Sequence, residues 1–131
     1  MNKVLRIFLT SVILIISNVS ALEEEKFNGE MKMKFGMQVV MTANNGKGKE
    51  LAEIMLQASK VVSDLKGCEI YIVQVSTSEE DVVLITEVWQ TKEDHQASLM
   101  SPEVRELIGK ARPLISGMVH HTAQPLGGKG L

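Results

Sequence analysis

The sequence predicts an α+β domain, a four-stranded antiparallel sheet with helices on one face, on three observations. Apolar residues alternate between a period of two and a period of 3.6, giving strand, helix, strand, strand, paired helices, strand. The stretch between the second and third strands, Thr77-Ser78-Glu79-Glu80-Asp81, is short, polar and acidic, as expected of a loop joining an antiparallel pair. Gly67 and Pro102 punctuate the helical stretches at an end and at a start. This order is the ferredoxin-like, split β-α-β plan.

The first strand is Phe35 to Thr42, with Met37, Val39 and Met41 on one face, and Asn44-Asn45-Gly46 breaks it as a turn. A helix follows, because Leu51, Ile54, Met55, Ala58, Val62 and Leu65 fall on one face of a 3.6-residue period. Cys68 to Ser76, rich in Ile, Val and Tyr, is the second strand, and Val82 to Gln90 is the third. Thr91 with Asp94 makes a capping-box-like start for a short helix, the acid favouring the positive end of its dipole. Ser101-Pro102-Glu103 opens the next helix, whose buried stripe is Val104, Leu107, Ile108 and Ala111 and which Pro113 closes. Gly117 to Leu126 is the last strand of a domain spanning 35–126, and residues 127–131 form a flexible glycine-rich tail.

The N-terminal residues read as an export signal over 1–21: Lys3 and Arg6 supply charge, Ile7 to Ile16 an apolar run, and Val19-Ser20-Ala21 a small-residue cleavage site. The run is too short to span a bilayer, so no membrane span is expected in the mature protein, which would be periplasmic or secreted. The alternative is a cytoplasmic protein that starts at Met31 or Met33. Residues 22–34 are a charged linker without pattern. Losing the two cations of the leader moves the formal charge from −2 to −4, and no basic patch invites nucleic acid. Cys68 is the only cysteine, so an intrachain disulfide is excluded.

Both alternating sets of the third strand are apolar: Val83, Ile85 and Trp89 on one side, Val82, Leu84 and Val88 on the other. A half-exposed antiparallel sheet alternates apolar with polar, so the face away from the helices needs a cover that the chain has no spare element to supply. The expectation is a homodimer packed sheet to sheet, the dimeric α/β-barrel assembly.

Glu87-Val88-Trp89 at the end of the third strand, the Thr91 to Leu99 helix, Ser101-Pro102 with Val104, Leu107 and Ile108, and Ala111-Arg112-Pro113-Leu114-Ile115 form a combination with a family likeness. From about Phe35 onward, and including the Gly-Gly-x-Gly-Leu ending, the chain resembles the antibiotic biosynthesis monooxygenase family, particularly its quinol monooxygenase-like branch. The resemblance implies a cofactor-free reaction of O2 with a small quinol or phenol bound between sheet and helices. Trp89 matches the family's tryptophan beside that pocket. His95 matches a position held by tyrosine, phenylalanine or histidine, and histidine is the version that accepts a proton near neutral pH. Where some members have asparagine four residues before the tryptophan, this chain has Ile85. The haem-degrading branch is disfavoured, since its second-helix tryptophan corresponds to Ser98 and no histidine lies between His95 and His120.

His95 is therefore the candidate catalytic base, with Trp89, Ser98, Leu99 and His121 as candidate substrate contacts. Ser98 and Leu99 share the helix face of His95, three and four residues on. His120 and His121 alternate across the last strand, and Val119 and Ala123 suggest that His121 takes the inner face. Two histidines fall short of the three or four ligands of a metal site, and no Gly-rich dinucleotide fingerprint follows the first strand, so no cofactor or metal is expected. The partners expected are a small aromatic substrate, O2 and a second copy of the chain. A non-catalytic dimer that binds a small hydrophobic molecule is the rival reading. The leader has a direct test: mass spectrometry of protein made in its native host should find Leu22 at the N-terminus, and a start at Met31 or Met33 would contradict export.

Overall fold

Alternation in the strands fixes which side of the sheet each residue serves. The protein, described here from a computed structural model, is resolved into elements over residues 33–131. The leader, the possible start at Met31 and all but the end of the charged linker lie outside the described residues. The elements are β1 (Phe35–Ala43), α1 (Gly48–Ser63), β2 (Cys68–Val75), β3 (Val82–Trp89), α2 (Lys92–Ser98), α3 (Pro102–Ala111), a 3-10 turn (Arg112–Leu114) and β4 (Ile115–Ala123). The strands order as β2-β3-β1-β4 with every neighbour antiparallel, which is the ferredoxin-like arrangement.

The two central strands carry the core. Met37, Val39 and Met41 of β1 lie opposite Glu87, Ile85 and Val83 of β3, and this set faces the helices. Leu51, Met55 and Ala58 of α1 and Val104, Leu107 and Ala111 of α3 bury their stripes on that face. The opposite face is also apolar. Val82 and Val88 are buried and Leu84 half-buried, while Ile72 and Val119 are 47% and 52% exposed. The chain following β4 reaches this face at one point, where a Cβ on Gly36 would meet Pro125 Cγ at 3.1 Å.

The last strand departs from its sequence reading. It begins at Ile115 rather than Gly117, because Pro113 sits in a 3-10 turn that leads straight into the strand. It ends at Ala123, just before Gln124 and Pro125. The register between β1 and β4 shifts at Thr42/Ala43, leaving Ser116 as an extra residue whose Oγ donates to the Thr42 carbonyl at 3.1 Å. A second irregularity, at Glu69 between Cys68 and Ile70, bends β2 where it meets the end of β3.

Two helix starts differ in how they are capped. Thr91 caps α2 as expected, its Oγ1 accepting from the Asp94 backbone N–H at 3.0 Å and donating to Asp94 Oδ2 at 2.9 Å. Gly67, at φ +83, packs against that aspartate so closely that a Cβ would come within 2.5 Å of Asp94 Oδ2. The start of α1 has no local cap. Asp81, from the loop before β3, supplies it: Oδ2 accepts from the Gly46 N–H at 2.8 Å and Oδ1 from the Gly48 N–H at 2.7 Å. A Cβ at Gly48 would lie 2.5 Å from Asp81 Cα, so only glycine allows this approach.

The two backbone donors hold the Asp81 carboxyl below its ordinary range. A depressed folded pKa contributes stability that is complete above the unfolded value of about 3.9 and is lost as pH falls through the folded value. Asp81→Asn tolerates the left-handed backbone there (φ 61) but loses the charge. Its thermal midpoint should lie below wild type at pH 7, with the gap closing as pH drops through the carboxylate range; a gap independent of pH would contradict this account.

Candidate functional site

Between the sheet and the helices lies a cavity of about 270 Å³. Its walls are mostly apolar: Met37, Val39, Met41 and Ile85 from the sheet, Met55 and Val62 from α1, Val104 and Ile108 from α3. Unbranched, polarizable methionine side chains make a wall that adapts to its contents. Five residues give this space its chemistry: Tyr71, Glu87, Trp89, His95 and His120.

Trp89 is completely buried at the end of β3, packed with Val62 and Val104. A buried indole N–H needs a partner. It finds one two residues back on the same strand and the same face, donating from Nε1 to Glu87 Oε2 at 2.7 Å. Glu87 is only 6% exposed, and among the described residues no positive side chain pairs with it while His95 is neutral. Burial in this apolar setting raises the Glu87 carboxyl above its ordinary range, and the Trp89 hydrogen bond offsets part of that rise. Tyr71 lies across from Glu87 in the β2–β3 pairing. Burial first, and then the Glu87 charge, push its phenol up, so it stays protonated. Burial and the same carboxylate also raise the Cys68 thiol.

His95 sits in the last turn of the short α2, soon after the β3 corner, and is 9% exposed. Its ring is held between two aromatics: Phe35, with centroids 5.0 Å apart, and Trp89, met edge-on at 5.7 Å. Burial lowers its pKa, and the nearby His120 lowers it further, so the ring is a neutral acceptor around pH 7. Its Nε2 stands 3.8 Å from Glu87 Oε1. That is too long for a hydrogen bond. With the imidazole neutral it is not an ion pair either, and the two atoms face the same space unjoined.

The structure brings most of the sequence candidates together. Trp89, His95, Ser98 and Leu99 all line the cavity. Ser98 Oγ donates to the His95 carbonyl at 2.6 Å, so its proton is committed to the backbone and the residue is unsuited to act as a nucleophile. Leu99 is 43% exposed and forms part of the rim. His121 does not join them, which corrects the sequence reading. It pairs with Gln38 on the face away from the helices, whereas His120, opposite Val39, is the histidine that lines the cavity. Val119 and Ala123 are poor guides to the inner side because the outer face is apolar as well. Glu87 and Tyr71 were also absent from the sequence candidates. Glu87 had a readable signal, a charge two residues from Trp89 and therefore on the same face of the strand. Among the described residues no group of three His, Cys, Asp or Glu is placed to hold a metal ion.

Comparison with known proteins places this geometry in context. The family model described as "Antibiotic biosynthesis monooxygenase" matches residues 35–110, a range that holds Tyr71, Glu87, Trp89, His95, Ser98 and Leu99 but not His120 or His121. A Chloroflexus aurantiacus protein described as a candidate antibiotic biosynthesis monooxygenase is 35% identical, with a TM-score of 0.68 over 72% of this chain and 95% of that one. A Caulobacter crescentus protein of the same description has a TM-score of 0.68 at 16% identity, covering 74% of this chain and 93% of its own. A Bacteroides thetaiotaomicron protein of unknown function, titled as an oxidoreductase candidate, has a TM-score of 0.67 at 19% identity, covering 72% and 99%. These last two share the fold. No curated protein matches the chain.

Proposed function

The chain belongs to the antibiotic biosynthesis monooxygenase family, and on that premise we propose that it is a cofactor-independent oxygenase of small quinols or phenols, with His95 as base and Trp89 as an aromatic wall of the site. The observation that carries this reading is the neutral His95 ring, fixed between Phe35 and Trp89 at the polar end of an otherwise apolar cavity. A cavity of about 270 Å³ lies near the small end of ligand sites and suits a single aromatic ring.

The chemistry asks for little more. A hydroquinone O–H gives its proton to His95 Nε2, and the resulting anion is electron-rich enough to pass an electron to O2 without a redox group from the protein. A bond then forms between a ring carbon and oxygen, and loss of water from the peroxide leaves a hydroxylated quinone. The balance is hydroquinone plus O2 to hydroxyquinone plus water, with every electron drawn from the substrate. Apolar walls favour the process by keeping water from the anion and leaving His95 unprotonated.

The assembly proposed with this activity is a homodimer. Ile72, Leu84 and Val119 leave the outer sheet face partly exposed, an apolar area that soluble monomers rarely present. A second copy packed sheet to sheet covers it. Light scattering at micromolar concentration should give twice the chain mass, and a monodisperse monomer would contradict the assembly.

His95→Phe keeps a ring between Phe35 and Trp89 but removes the proton acceptor. Oxygen uptake with a bound hydroquinone should fall by roughly 100- to 10,000-fold, the range for a positioned base, and recover in part at higher pH as the substrate ionises unaided. Turnover near wild type in this variant would make His95 a packing residue. If the wild type quenches its Trp89 fluorescence with phenols yet consumes no oxygen, the protein is a binder of small hydrophobic molecules instead.

A further inference from the structure

The base alone leaves one group in the cavity unexplained. Glu87 is a carboxyl held at 6% exposure on the apolar, helix-facing side of the sheet. Its Oε2 is occupied by the Trp89 indole at 2.7 Å, which leaves Oε1 turned to the space shared with His95. A carboxyl needed only to satisfy the indole would be a costly choice, because a glutamine or a backbone carbonyl accepts the same hydrogen bond without a group that must be kept from ionising. The separation between Glu87 Oε1 and His95 Nε2, 3.8 Å, also has a use. Two atoms that far apart can each lie within about 2.8 Å of one oxygen placed between them.

We propose that Glu87 is a second catalytic group: in its acid form, Oε1 donates a hydrogen bond to the same substrate oxygen from which His95 Nε2 removes the proton. This rests on the oxygenase reading and names how the site holds its substrate. The substrate class is a phenol or hydroquinone whose reacting hydroxyl enters the gap as donor to His95 and acceptor from Glu87. In the step, the phenolic O–H bond breaks and an N–H bond forms on His95. Glu87 keeps its proton, and its hydrogen bond strengthens as negative charge develops on the oxygen. Nothing is oxidised or reduced until O2 reacts.

The surroundings favour this division of labour. The groups facing Glu87 are Trp89 on its own strand, Tyr71 and Cys68 on β2, and His95 on α2, with His120 on β4 lining the same cavity. Of these, only the histidines could carry positive charge, and His95 is held neutral. Burial accordingly favours the protonated carboxyl.

Two substitutions separate this role from a structural one. Glu87→Gln can still accept from Trp89 with its carbonyl and present its amide N–H to the gap, whereas Glu87→Leu removes the donor. The expected result is that the leucine variant loses about 100-fold in kcat, the scale for deleting one oxyanion donor, while the glutamine variant stays within several-fold of wild type. The fall in wild-type activity as pH rises through the Glu87 titration should be absent from the glutamine variant. Binding of 4-nitrophenol, read by its absorbance, supplies an arm free of turnover: affinity should drop at least tenfold in the leucine variant and hold in the glutamine variant. That pattern in a protein that consumes no oxygen would support the Glu87 clamp and sink the oxygenase reading. A leucine variant that binds and turns over like wild type, or a glutamine variant as impaired as leucine, would overturn the donor role. If the leucine variant fails to fold, the glutamine pH profile decides, and a retained fall over the same pH range would overturn the proposal.

Discussion

A carboxyl group buried among apolar side chains is the constraint on which the site depends. Glu87 occupies a core-facing position of β3 where alternation calls for a hydrophobe, and the 2.7 Å hydrogen bond from Trp89 is what makes that position tolerable. The bond fixes the indole, and the indole and the Phe35 ring both pack against the His95 ring. The short connection through Gln90 and Thr91 matters for the same reason. Because α2 begins immediately after Trp89 with a side-chain cap, His95 is carried back over the end of the strand it must face.

One apolar environment sets both titratable groups. Desolvation disfavours charge of either sign, so it lowers the imidazole and raises the carboxyl of two groups that stand side by side. Their effects on stability oppose each other. The lowered His95 costs stability as pH falls below the ordinary imidazole value, since the unfolded chain then binds the extra proton. The raised Glu87 contributes stability that is complete below the ordinary carboxylate value and is lost as pH rises through the folded one.

Most of the architecture was legible in the sequence because period and punctuation agree. Leu51, Met55, Ala58 and Val62 marked α1, and Thr91 with Asp94 marked the start of α2. What escaped had long-range or two-sided causes. The cap of α1 comes from Asp81, 33 residues beyond Gly48, and no local pattern announces it. The choice between His120 and His121 depended on the register of β4 against β1, and apolar residues on both faces of the sheet removed the usual cue. That doubled apolar pattern is the same feature from which a sheet-to-sheet partner was expected. Within the site, Trp89 and His95 were readable through a family likeness, whereas Glu87 required only strand parity with Trp89.

The central claim is that substrate electrons and a protein base suffice for oxygenation in this cavity. The most direct measurement is oxygen uptake by the wild-type protein, treated with chelator and freed of flavin, across a panel of single-ring hydroquinones with products identified by mass. The account predicts one O2 consumed per hydroquinone and a product carrying one added oxygen atom from labelled O2. Uptake that appears only when a metal or flavin is restored, or oxygen recovered wholly as hydrogen peroxide with no label in the product, would contradict it.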